Sequence, residues 1–475
     1  MTFTPDWKSL FNYKVPEWYT NARFGIFIHF GVYSVPSFGS EWYSRNMYIK
    51  GSREYEHHIK TYGPHTEFGY KDFIPLFKAE KFDADEWLSL FKEAGARYIV
   101  PVAEHHDGYM MYKSNISKWN AYEMGPKRDY LLELKESAGK YDIRFGASSH
   151  RIEHWFFMGN GRDFESDVND SVDKDSLYYP AMKEPKDHYD LYAKPEPTPE
   201  FLNDWILRTK EIVDLYHPEV LYFDWWIQEA VMKPYLQEFA AYYYNEMEKI
   251  GKMGVINYKH DAFMFGTAVP DMERGGFSSA QPFIWQTDTA IGRKSWCYTE
   301  DNEYKDAEEI IQNLADVVSK NGNLLLNVGP KPDGTISFED KKVLKDIGKW
   351  MSVNGEAIYS SKPYRFYAEG DTKASGGQFS DGKKLEYTSK DYRFTVANGN
   401  LYAICMKCSE SGEYLIKSLG IDKNASGAFG FSGIIENVSL LGEKSKLLFK
   451  RKEEGLYIKS EYKSDLPLVF KIELL

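Results

Sequence analysis

Between about residues 20 and 350 the chain alternates short, nearly continuous apolar runs with longer stretches whose apolar positions recur every three to four residues. The runs are FGIFIHF (24–30), YIVPVAE (98–104), RFGASS (144–149), VLYFDWW (220–226), GVINY (254–258), PFIWQT (282–287) and LLLNV (324–328). Strands that are apolar throughout, rather than at every second position, are covered on both faces, as in a parallel sheet under helices. The stretches between them carry helix punctuation. Asp83 with Glu86 forms a capping-box-like start before Trp87, Leu88 and Phe91. Thr198-Pro199 reads as an N-cap followed by the first helical residue. Ile310, Ile311, Leu314, Val317 and Val318 keep helical spacing up to a stop at Asn321-Gly322. Seven runs are one short of eight, and a (β/α)8-like barrel fits them best.

Beyond about residue 356 the texture changes to short alternating segments rich in Lys, Ser and Gly. Asn398-Gly399, between YRFTVA and NLYAICMK, is a strong hairpin signal. The expectation is a catalytic barrel over 1–355 and an all-β sandwich over 356–475. No low-complexity linker separates them, so the two domains should pack directly.

Composition narrows the function classes. The 59 basic and 71 acidic residues leave a net charge of −12 without a basic cluster, which argues against a nucleic-acid partner. Tyr, Phe and Trp number 36, 30 and 12. Most of these rings belong to a large core, and a remainder suits the apolar faces of sugars. Three cysteines (Cys297, Cys405, Cys408) make neither a disulfide framework nor a four-ligand zinc set. Cys405 and Cys408 stand three apart in an expected strand, on opposite faces, and buried thiols are the expectation. No apolar run approaches the roughly 20 residues of a spanning helix. MTFTPDWKSLFNYKVPEW lacks the apolar core of a secretory signal, pointing to a cytoplasmic protein, or a periplasmic or secreted one if a leader has been removed.

The chemistry of a barrel sits at the C-terminal ends of its strands. Here those ends carry His29, then Glu104-His105-His106-Asp107, then His150 with Glu153 just beyond, then Asp224, then Lys259-His260 and the DMERGG segment (271–276), then Trp285-Gln286 and Asn327. Asp224 lies inside LYFDWW, where a carboxylate among aromatics is costly without a partner or a task. His29, His105, His106 and Asp107 admit a metal-ligand reading, although adjacent side chains diverge on a strand and no Cys or H-x-H pair completes a shell. Glu41-Trp42, after the first run, is either a packed loop or a sugar grip.

RFGIFIHFGVYSVPSFGSEWYSRNMY, EHHDGYMMYKSNISKWNAYEMGPKRDYL, YFDWW, WQTDTAIGRKSWCY, SKNGNLLLNVGPKPDGTI and WMSVNGEAIY, in this order over about residues 15–360, resemble glycoside hydrolase family 29, the α-L-fucosidases. The resemblance implies a retaining exo-glycosidase acting on terminal α-L-fucose of an oligosaccharide or glycoconjugate. It implies no cofactor or metal and no membrane insertion, and it is compatible with a homo-oligomer. It places Asp224 as nucleophile and Glu273 as general acid/base, with Asp288 and Glu300 as competing candidates. Gln286 stands where some relatives carry Glu, and an amide cannot transfer a proton. By the same resemblance His29, Glu41, Trp42, His105, His106, Tyr222 and Lys259 bind the sugar, with Phe27 and Trp285 walling its methyl group. An inactive fucose-binding protein, or a hydrolase of α-L-galactosides or of sulfated fucose polymers, stands as the alternative.

Overall fold

The computed structural model describes residues 2–169, 173–421, 431–444 and 447–475. Eight parallel strands close a barrel in sequence order: β1 Phe24–Ile28, β2 Tyr98–Glu104, β3 Arg144–Ser149, β4 Val220–Phe223, β5 Val255–Tyr258, β6 Val269–Glu273, β7 Trp285–Ala290 and β8 Gly322–Val328. Closure comes from β8 pairing with β1, in register from Phe24↔Leu324 to Ile28↔Val328. Alternate side chains serve two cores. Phe27, Tyr98, Val100, Val102, Tyr222, Val255, Val269 and Leu325 fill the interior. Phe24, Ile26, Ile28, Leu324 and Leu326 face the helices outside. Gly25 is required by this filling, since a Cβ there would lie 2.5 Å from the Tyr98 ring.

Helices α1 Ala84–Ala94, α2 Tyr130–Lys140, α3 Pro199–Tyr216, α4 Lys233–Lys249, α5 Ala307–Ser319 and α6 Phe338–Asn354 pack around the strands. Their starts are those the sequence marks: Asp83 accepts from the amides of Asp85 and Glu86, and Thr198 from that of Phe201. Beyond the end of α5, Asn321 takes a positive φ of 73°.

The eighth strand, missing from the apolar runs, is β6. Its sequence, VPDME, holds a proline and two carboxylates, and its burial alternates instead of being continuous. It therefore carries neither signal by which a covered parallel strand is read. With β6 in the barrel, Glu273 stands at a strand end and not in a loop. Among the described residues no helix joins β5 to β6 or β6 to β7.

The rest of the described chain is antiparallel. β9 Lys362–Glu369, β10 Tyr392–Ala397, β11 Asn400–Cys405, β13 Ile435–Leu440 and β16 Leu468–Leu474 form one sheet in the order β13-β16-β11-β10-β9. β12 Glu413–Ile416, β14 Leu448–Lys452 and β15 Gly455–Lys459 form the second. Phe394, Ala403 and Phe470 of the first sheet share a core with Tyr414, Leu456 and Ile458 of the other, which makes a sandwich. Asn398 and Gly399 turn the β10–β11 hairpin with φ of 51° and 77°, as their type requires. The three cysteines are free, Cys297 and Cys405 buried and Cys408 partly so. The expected opposition of Cys405 and Cys408 on one strand fails because β11 ends at Cys405.

The domains share a core: Tyr402, Ile404, Met406 and Val469 belong to the same apolar cluster as the barrel helices. Polar contacts align them. The Arg393 guanidinium donates to Asp316 on α5 at 2.5 Å, the Trp350 indole to the Pro467 carbonyl at 2.7 Å, and the Gln312 amide to the Met406 carbonyl at 2.8 Å. Asp316→Ala would strand the Arg393 side chain, only 2% exposed, without its carboxylate. The expected cost is about 3–5 kcal/mol, read as a lower urea midpoint; an unchanged midpoint would show that this pair does not hold the interface.

Candidate active site

The C-terminal strand ends surround a cavity of about 360 Å³, at the small end of ligand sites and scaled to one sugar unit. Five carboxyl groups line it, from Glu41, Glu153, Asp224, Glu273 and Asp288, with His29, His105, His106 and His150. The apolar walls are Phe27, Trp42, Tyr222, Trp225, Trp226 and Trp296. Among the described lining residues there is no Lys or Arg.

Asp224 directly follows β4. Burial alone would raise its carboxyl, but His150 beside it and the nearby Lys259 ammonium outweigh burial and hold it well below the ordinary carboxylate value. His150 Nδ1 donates to Asp224 Oδ2 at 2.8 Å, and Ser148 Oγ sits 2.9 Å from Nε2 to fix the ring. His106 Nε2 lies 3.5 Å from the same Oδ2. These contacts all fall on Oδ2 and none of them engages Oδ1.

Glu273 ends β6 and is pushed up to about 7, first by burial and then by Asp288 and Asp224, against the lowering effect of Lys259. The Trp225 indole donates to Glu273 Oε2. Lys259, expected on the sugar, is 1% exposed and stands outside the cavity lining. Its ammonium lies behind the wall, 2.9 Å from Asp271, 3.1 Å from Asp288 and 3.2 Å from Glu273. The physical reason is charge: β6 and β7 aim three carboxyls at one spot, and only a cation among them makes that burial tolerable. Tyr222 lines the cavity and donates to Asp288 Oδ2 at 2.7 Å.

His29, His105 and His106 are prepared as neutral hydrogen-bonding groups, each held below the usual histidine value by burial. Asn327 donates its amide to the Trp296 carbonyl, so its oxygen accepts from His29 Nδ1 at 2.7 Å. His29 Nε2 is thereby an acceptor. His106 donates from Nδ1 to the His150 carbonyl at 2.7 Å, and burial draws its pKa down to about 3. His105 is buried with Nδ1 unpartnered, and burial holds it well below the usual histidine value. Glu41 accepts from the Trp296 amide at 3.0 Å and from Ser295 Oγ at 3.1 Å. The Trp42 ring meets His106 edge to face at 5.8 Å.

Two further expectations change. Trp285 faces outward on β7, its indole donating to the Lys320 carbonyl at 2.9 Å; strand alternation points Trp285 away from the axis and Gln286 inward. Trp296 stands at the cavity wall instead. Gln286 lies below the cavity, bound by the Tyr19 and Tyr98 hydroxyls at 2.8 Å each and donating to Asp271. Glu300 is exposed and lies outside the cavity. Sequence reasoning noted His150 and Glu153 at the strand end without assigning them to the site. It had no signal for Tyr189 or Phe379, which loops far along the chain bring to the rim.

Ring nitrogens of His29, His105 and His150 lie within 4.8 Å of one another, as do those of His106 and His150 with an Asp224 oxygen, a spacing that could hold an ion. Asp107, part of the metal-ligand set read from sequence, turns away to accept from the Tyr70 hydroxyl at 2.6 Å. Both nitrogens of His150 are engaged, so an ion there would displace Ser148 or Asp224.

A parallel barrel whose strand ends gather carboxyls, imidazoles and aromatic walls around one cavity has the parts that glycosidic-bond hydrolysis requires. The α-L-fucosidase family model matches residues 1–356. Bovine tissue α-L-fucosidase is 35% identical over 372 residues, covering 77% of this chain and 74% of its own. Human plasma α-L-fucosidase is 33% identical, covering 87% and 81%. The crystal structure of Thermotoga maritima α-fucosidase superposes with a TM-score of 0.77 at 30% identity, covering 99% of this chain and 100% of that one. The chain belongs to the α-L-fucosidase family.

Lys259→Met would leave Asp271 and Asp288 buried without their cation. Stability should fall by about 3–5 kcal/mol, measured by chemical denaturation, and a wild-type midpoint would show that the carboxyls do not need the charge.

Proposed function

We propose that the chain is a retaining exo-α-L-fucosidase that removes terminal α-L-fucosyl residues from glycans, with Asp224 as nucleophile and Glu273 as general acid/base. The observation that carries this reading is the divergence of two carboxyls in one cavity: Asp224 held ionised by its neighbours, Glu273 pushed up to about 7 by burial. Environments that separate two carboxyls in this way assign the acid and the nucleophile. The Thermotoga maritima enzyme has been solved with fucose bound.

In the first displacement Asp224 Oδ1 attacks the anomeric carbon, the glycosidic bond breaks, and Glu273 gives its proton to the departing oxygen. In the second, Glu273 as carboxylate takes a proton from water, whose oxygen attacks the same carbon and releases Asp224. His29, His105, His106, Glu41 and Trp42 surround the sugar ring and offer it acceptors, donors and an aromatic face. Asp288 is a poor rival for the acid role, since Tyr222 and Lys259 already occupy its oxygens. A cavity wall of carboxyls without Lys or Arg also disfavours a sulfated sugar.

Glu153 supports a second reading of the proton donor. It lines the cavity, burial and Asp224 push its carboxyl well above the ordinary value, and its Oε2 is unpartnered.

Azide separates the roles. Asp224→Gly should abolish turnover of an aryl α-L-fucoside, and added azide should yield the β-fucosyl azide. Glu273→Gly should lose about 10²–10⁴-fold on natural glycosides and yield the α-azide. An α-azide from Glu153→Gly, with Glu273→Gly retaining full activity, would transfer the donor role to Glu153.

The pH profile follows from the two groups. Glu273 carries its proton below about 7, so kcat/KM should fall as pH rises through that value. The acid limb should lie well below the ordinary aspartate range, because Asp224 is depressed. An optimum above pH 8 would contradict the assignment of Glu273.

A further inference from the structure

The cavity rim is closed by a loop that belongs to the sandwich domain. Between β9 and β10 the chain leaves the sandwich and runs along the barrel flank where β6 has no helix on either side. Gly276 and Gly377 exchange backbone hydrogen bonds at 3.1 and 2.8 Å, the Phe379 amide donates to the Glu273 carbonyl at 2.8 Å, and the Asp381 amide donates to the Arg274 carbonyl at 2.9 Å. Asp381 is fixed in turn by Lys305 and Thr289. The approach is close, since a Cβ on Gly275 would meet the Gly377 oxygen at 1.9 Å.

This anchoring holds an aromatic ring beside the proposed proton donor. Phe379 lines the cavity while 57% exposed. Its ring lies 6.0 Å from that of Trp225, with the planes 14° apart. Trp225 hydrogen-bonds Glu273 and continues into Trp226 at 4.7 Å, and Trp226 meets Tyr189, itself 66% exposed, at 5.2 Å. Single exposed apolar residues are ordinary; a contiguous row of four rings at a cavity mouth is a binding feature.

Direction follows from the chemistry. A proton donor must reach the glycosidic oxygen, so the leaving group must lie on the Glu273 side of the fucosyl ring. That side is formed by Trp225 and Phe379. We propose, on the strength of the fucosidase reading, that the sandwich-domain loop carrying Phe379 builds the leaving-group subsite, and that its occupant is a neutral hexopyranose stacked by its apolar C–H face. Ring faces carry negative charge density that attracts such C–H groups. Phe379 is therefore a specificity-determining residue that the barrel itself does not contain.

The test compares an α-L-fucosyl-galactoside disaccharide with α-L-fucosyl fluoride, whose leaving group presents no sugar face. For Phe379→Ala, the ratio of kcat/KM on the disaccharide to that on the fluoride should drop about tenfold, and Phe379→Trp should restore it. A ratio within twofold of wild type in Phe379→Ala would overturn the subsite, as would equal losses on both substrates, which mark a structural role for the loop. Failure of the wild-type enzyme to release fluoride would overturn the fucosidase reading and the subsite with it, a result distinct from an unchanged ratio.

Discussion

One buried ammonium governs the electrostatics of this molecule. Lys259 stands between Asp271, Asp288 and Glu273, which β6 and β7 direct at a single point under the cavity. Without the cation, burial would force protons onto these acids or open the barrel. With it, the site keeps a dense set of carboxyls in a low-dielectric wall. Asp271 is still pushed well above its ordinary range by burial and by Asp288, and the same competition between burial and Lys259 sets Glu273 near neutrality.

The opposite side of the cavity is tuned by hydrogen bonds instead. His150 spends one nitrogen on Asp224 and the other on Ser148, and Asn327 sets the tautomer of His29 through its bond to the Trp296 carbonyl. Strands on one side bring charge; those on the other bring imidazoles locked by a serine hydroxyl, a side-chain amide and a backbone carbonyl. Carboxyls in one cavity thus come to hold protons with different strengths, the condition for acid and nucleophile to coexist.

The missing helices around β6 have a structural consequence. The flank they would cover is taken by the loop of the sandwich domain that backbone-pairs with residues 273–276. The second domain shares the barrel's apolar core and its Arg393–Asp316 pair, so it positions part of the active-site rim as well as shielding the barrel.

The sequence by itself determined the fold class, seven of the eight barrel strands, the hairpin at Asn398-Gly399 and the placing of Asp224, because each rests on local periodicity or on a turn residue with a required φ. The family was legible on other grounds, the resemblance of six motifs in their order along the chain. Tertiary structure alone decided what depends on convergence. β6 forms although VPDME lacks apolar continuity, because β5 and β7 supply its hydrogen bonds. Strand alternation sends Trp285 out of the site and Gln286 beneath it. The gathering of carboxyls places the Lys259 ammonium among Asp271, Asp288 and Glu273. Phe379 reaches the rim from more than a hundred residues beyond Glu273, a proximity that only packing of the two domains creates.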